Sequence, residues 1–85
     1  MYEIWYHPRS LKFLSKIPKN ERDKVLLRLN RLQENPFVDT LNIKKLADSK
    51  KSYRVRIGKI RAIFELDERK KIIYVNAIDF RGNIY

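Results

Sequence analysis

The chain is 85 residues long and sets 20 Lys and Arg against 10 Asp and Glu, a formal charge of +10 at pH 7. A chain this short closes one apolar core, so a single domain over residues 1–85 is expected and a large multi-substrate enzyme is excluded. Apolar residues make up 44% of it, with two Gly and three Pro, which excludes a disordered tail, and the lack of Cys excludes a disulfide framework and thiolate metal sites.

Tyr2, Ile4 and Tyr6 alternate with Glu3, Trp5 and His7, the period-2 pattern of a strand with large side chains on both faces, and Pro8 ends it. From Arg9 to Ile17 the residues Leu11, Phe13, Leu14 and Ile17 recur at spacings of three and four, which predicts a short helix stopped by Pro18 near Lys16. Asn20 is the expected N-cap of a second helix, with Glu21 and Asp23 in a first turn whose dipole favours acids. Val25, Leu26, Leu29 and Leu32 form its core stripe, and Asn35-Pro36 closes it. Phe37 to Ser52 reads as a connection anchored by Leu41, Ile43 and Leu46.

Three strands follow. Tyr53, Val55 and Ile57 alternate with Arg54 and Arg56; after Gly58-Lys59 comes a second strand, Ile60 to Leu66; Asp67 to Lys70 is a polar turn, and Lys71 to Ile78 is a third strand. In that last strand Ile73, Val75 and Ala77 are expected on one face and Tyr74, Asn76 and Ile78 on the other, covered on both sides. The expected architecture is α+β in the order β-α-α-β-β-β, a helical hairpin packed on one face of a small, mainly antiparallel four-stranded sheet. No apolar run nears the length of a membrane span, so a soluble cytoplasmic protein with no membrane partner is expected.

The charge is concentrated. Between Lys44 and Arg61 stand Lys44, Lys45, Lys50, Lys51, Arg54, Arg56, Lys59 and Arg61 against Asp48 alone, a balance of +7 over 18 residues. Strand periodicity aims Arg54 and Arg56 at one face, and Arg61, just past a tight turn, can stand beside them. Such a triad repels itself, and its planar forks suit phosphate oxygens; a solvated sheet face is the plainer alternative. After the last strand, Arg81 could hold a phosphate while Tyr85 stacks on a base or handles a proton. His7 is the one side chain that ordinarily titrates near neutrality, but a lone His at a strand end is more often a cap. No phosphate-binding Gly loop, Ser-His-Asp set or metal-ligand spacing is present, so no cofactor and no metal is expected.

The order of elements, the run K-K-L-x(6)-Y-R-V-R-I-G-K-I-R-A-I-F-E and the closing I-D-F-R-G-N-I-Y together resemble the RelE/ParE toxin superfamily, and within it the RelE-type messenger-RNA interferases. The resemblance spans nearly the whole chain. It implies the toxin of a type II toxin-antitoxin system that enters the ribosomal A site, cleaves messenger RNA there without a metal, and is neutralised by a RelB-like antitoxin with an acidic or amphipathic segment. It further implies catalytic roles for Arg54, Arg56, Arg61, Arg81 and Tyr85, while the concentrated charge makes Lys44, Lys45, Lys50, Lys51 and Lys59 the expected RNA or ribosome contacts. Where the best-known members carry lysines on the second strand, this chain has Arg54 and Arg56, and a guanidinium is a poor general base. A ParE-like gyrase inhibitor acting by protein binding, and a basic RNA-binding domain without activity, are the alternatives; the closing Arg and Tyr favour the ribonuclease.

Overall fold

The computed structural model describes residues 1–37, 42–47 and 50–83. Its elements run β1 (Glu3–Tyr6), α1 (Pro8–Lys16), α2 (Lys19–Glu34), β2 (Ile43–Lys45), β3 (Ser52–Ile57), β4 (Ile60–Asp67) and β5 (Ile72–Phe80). They form the expected α+β fold, with one more strand than the sequence suggests. The sheet order is β1-β5-β4-β3-β2; β1 runs parallel to β5 and every other pairing is antiparallel. The added strand, β2, lies inside the stretch expected to be a connection, and Leu41 of that stretch falls outside the described residues.

Pro8 does more than end β1. It takes the first helical position of α1, where its missing N–H costs nothing, and His7 caps the helix by accepting the Arg9 N–H on Nδ1 at 3.1 Å. The chain then passes through extended backbone at Ile17, and Pro18, not Asn20, occupies the N-cap of α2, with no side-chain capping bond. Glu21 sits in the first turn as expected, and Asp23 pairs with Lys19 at 3.5 Å.

Both helices cover one face of the sheet. Leu14, Ile17, Val25, Leu29 and Leu32 meet Val55, Ile57, Ile60, Ala62, Phe64, Leu66, Ile73, Val75 and Ile78 in a single core. Leu11, expected on the apolar side of α1, is instead 52% exposed. Ser10 is fully buried where β1 hands over to α1; its Oγ donates to the Val75 carbonyl at 3.1 Å, which also accepts the His7 N–H at 2.9 Å. No described helix is long and apolar enough to cross a membrane.

The alternation expected for the last strand breaks at Asn76. Phe64 pairs with Val75 and Ile63 with Ala77, so Asn76 is an unpaired extra residue, a β-bulge. Beyond it the parity changes: Ile78 joins Ile73 and Val75 in the core, while Ala77 lies half-buried on the other face. Among the described residues no helix lies over that other face, where Tyr74, Asn76 and Ala77 are half-buried, so helices cover β5 on one side and not on both.

Candidate functional site

The site is built on the β3–β4 hairpin. Ile57 pairs with Ile60 across the two-residue loop Gly58-Lys59, and Gly58 has φ +61°, the conformation that a type II′ turn requires at its first position. This register sets Arg56 opposite Arg61 and Arg54 opposite Ile63, with Lys44 of β2 opposite Arg54. Because Val55, Ile57, Ile60 and Ala62 point into the core, Arg54, Arg56 and Arg61 all stand on the open face. Arg81 reaches the same place by another route: its N–H donates to the Lys59 carbonyl at 2.8 Å, docking the turn after β5 against the hairpin.

Two of the guanidinium groups are held by neutral acceptors. Arg56 donates through Nε and Nη2 to Asn42 Oδ1, at 3.1 and 2.9 Å, and its backbone N–H donates to the Asn42 carbonyl at 2.8 Å. Arg61 turns Nη1 onto the Gly58 carbonyl at 2.7 Å and the Ile60 carbonyl at 3.0 Å. None of Arg54, Arg56, Arg61 and Arg81 pairs with a carboxylate among the described residues. Asp79, opposite Arg61 on β5, spends Oδ1 on the Phe80 N–H at 2.7 Å and the Asn83 amide at 3.3 Å. These contacts orient the forks without neutralising them.

The electrostatic cost falls on Arg61. Its pKa lies below the usual guanidinium value, first through partial desolvation and then through the charges of Arg81, Arg56 and Arg54. A recess of about 100 Å³ opens among Asn42, Lys44, Arg54, Arg56 and Arg61, wide enough for a few atoms and lined almost wholly by cations. Three guanidinium groups and an ammonium around a small recess suit an oxyanion with several acceptor oxygens, of which a phosphoryl group is the natural example.

The structure thus brings together Arg54, Arg56, Arg61 and Arg81, as strand parity and the resemblance suggest. Of the lysines, Lys44 shares the open face and Lys59 forms the exposed tip of the hairpin, whereas Lys45 has the parity of Ile43 and points to the helix side. Lys50 and Lys51 are exposed just before β3. Tyr85 lies outside the described residues, and His7 caps α1 at the end of β1. Among the described residues no three His, Asp or Glu side chains converge as a metal site would need. Sequence reading missed Asn42. Its one signal is its place two residues ahead of Lys44, where a short strand would pair with the arginine strand.

No protein-family model matches the chain. Over 85 residues it is 32% identical to a candidate toxin named RelE1 from Methanocaldococcus jannaschii, covering 99% of this chain and 94% of that one. Its fold superposes on RelE in the archaeal RelE-RelB complex of Pyrococcus horikoshii with a TM-score of 0.84 and 25% identity, over 96% of this chain and 97% of the other. The intact toxin-antitoxin complex RelBE of E. coli gives 0.80 at 20% identity, over 94% and 96% of the two chains, a likeness of fold alone.

Proposed function

This chain belongs to the RelE family of toxins, and on that premise we propose that it is a ribosome-dependent endoribonuclease that cleaves messenger RNA in the A site. The observation that carries the reading is the convergence of Arg54, Arg56, Arg61 and Arg81 on an open sheet face with no described carboxylate to neutralise them. Phosphate oxygens bearing the extra charge of a transition state supply the missing anion.

The chemistry is in-line attack of a 2′-OH on the adjacent phosphorus, leaving a 2′,3′-cyclic phosphate and a 5′-OH. It leaves DNA inert, because DNA lacks the nucleophile. Arg61 and Arg81 neutralise the charge that grows on the phosphoryl oxygens, and each such donor is worth about 2 to 4 kcal/mol. Arg54 or Arg56 steadies the charge on the leaving 5′ oxygen, which takes its proton from water to become the 5′-OH. Tyr85 is assigned the 2′-OH, as proton acceptor or as a platform for the base, and Lys44, Lys45, Lys50, Lys51 and Lys59 the phosphates of the surrounding RNA. The toxin's partner is a RelB-like antitoxin whose acidic or amphipathic segment answers the +10 charge of the chain. The Pyrococcus horikoshii relative, solved as a RelE-RelB complex, supports that assignment.

Primer extension on translating ribosomes, with gyrase supercoiling run in parallel, is the test. Cleavage within the A-site codon is expected, with unchanged supercoiling. Inhibition of gyrase without cleavage would replace this reading by the ParE-like one, and RNA binding with neither would leave a binding domain. Tyr85→Phe divides the roles of that side chain, since stacking survives the change and proton transfer does not.

A further inference from the structure

A second cationic surface lies around the edge of the sheet from the arginine face. β1 pairs with β5 only as far as Val75, so beyond that point the flank of β5 looks onto α1 across an open cleft of about 680 Å³. Arg9, Lys12 and Lys16 line one wall, all exposed and none paired with a carboxylate among the described residues. They stand three and four residues apart on one side of α1, spread over roughly 10 Å of helix. At the other wall Phe80 is 40% exposed and meets Phe13 edge to face, with ring centroids 5.2 Å apart and planes at 73°. Asp79 is the one acid in the lining, and its Oδ1 is engaged in capping the turn.

We propose that this cleft takes the nucleotides next to the cleavage site of the same RNA strand, a base against Phe80 and the phosphates along Arg9, Lys12 and Lys16. The inference rests on the ribonuclease reading above. A row of unpaired cations beside a half-exposed phenyl ring is the composition of a single-strand groove, where cations follow the backbone and an aromatic ring takes a base of any identity. Continuity supplies the second argument. Asp79 lines the cleft and also stands opposite Arg61, so a strand leaving the arginine recess crosses only the end of β5, roughly 5 Å of sheet, to reach it. Phe80 owes its place on this side to the parity change at Asn76.

Single-turnover cleavage on translating ribosomes tests the proposal with wild type, Phe80→Leu, which keeps an apolar contact to Phe13, and R9Q/K12Q/K16Q. Phe80→Leu is expected to raise the half-saturating toxin concentration about tenfold while preserving the rate at saturation. The triple variant is expected to lower the slope of log affinity against log salt by about 2, three phosphates at the single-strand value. Messages shortened next to the cleavage site should weaken wild type more than Phe80→Leu, which has only the phosphate contacts left to lose. Unchanged half-saturation in both variants overturns the proposal. So does equal weakening of wild type and Phe80→Leu by shortening, which assigns the contact to ribosomal RNA, or an effect confined to antitoxin neutralisation, which assigns it to a protein. If wild type itself fails to cleave, the ribonuclease reading has failed. Fluorescence anisotropy with a labelled single-stranded RNA then decides the cleft, a tenfold loss in Phe80→Leu supporting it and equal affinities overturning it.

Discussion

Arg61→Gln should make the protein more stable and less active at once. The substitution removes the charge that Arg81, Arg56 and Arg54 repel, and it leaves the Gly58 and Ile60 carbonyls, which Nη1 held at the exposed tip of the hairpin, to the shorter amide or to water. Arg56 stands directly opposite Arg61, Arg54 is diagonal to it and Arg81 lies beyond the strand pairing; at a common separation of roughly 7 Å, two unit charges in water repel by about 0.6 kcal/mol. Screening at physiological salt reduces that to about 0.25 kcal/mol per pair, so three neighbours cost about 0.7 kcal/mol. For a domain of this size the relief corresponds to a Tm rise of about 3 to 5 °C. In 1 M salt the same sum shrinks to a shift of about 1 °C. Folding lowers the Arg61 pKa, so the charged form is the one the fold disfavours; the penalty is complete at every pH below the folded-state pKa and fades only as pH rises through it. Between about pH 6 and 9 the Tm difference is therefore flat. Thermal melts in low and high salt read the stability, and single-turnover cleavage at saturating ribosome should fall about a hundredfold or more. A lower Tm in the variant, or a shift indifferent to salt, would refute the claim that these arginines face one another uncompensated.

Asn42→Ala frees the Arg56 fork from its two side-chain bonds, and the expected result is a drop of about tenfold in the cleavage rate at saturation with little change in half-saturation, partly rescued by Asn42→Ser. Gly58→Ala meets no atom within 4 Å, so its cost is the left-handed backbone alone, about 1 kcal/mol in denaturant titrations, with the hairpin retained. Ser10→Ala removes one of two donors to the Val75 carbonyl, and because the His7 N–H remains, a loss of about 1 kcal/mol is expected in place of collapse. Arg81→Lys should recover only part of the activity lost in Arg81→Ala, since a point charge lacks the fork that holds two oxygens.

What the sequence made legible was whatever depends on local periodicity. The spacing of Val25, Leu29 and Leu32 locates the buried side of α2, and the alternation of Arg54 and Arg56 with Val55 and Ile57 fixes which way the arginines face. Ile43–Lys45 escaped because a three-residue edge strand with two exposed lysines carries almost no apolar alternation. The start of α2 was misplaced by two residues because Pro18, whose fixed φ admits it to the cap, supplies no side-chain oxygen to mark the position. The bulge was illegible for a deeper reason: an unpaired residue is defined by its neighbour strand, and no window of β5 alone contains β4. Asn42 belongs with it, since its bonds to Arg56 span 14 residues of chain.

The extra residue at position 76 gives β5 one unit of slack. A gene that lost this codon would encode a strand in which Val75, Ala77 and Ile78 alternate without interruption, so every inward side chain would stay inward and the core would be inherited intact. A gene that gained a codon there would have no such reserve. Yet the bend that a bulge imparts would vanish with Asn76, and with it the aim of the segment that brings Asp79, Phe80 and Arg81 to the rim of the arginine face. In this one deletion the packing of the core and the aim of the arginine rim come apart.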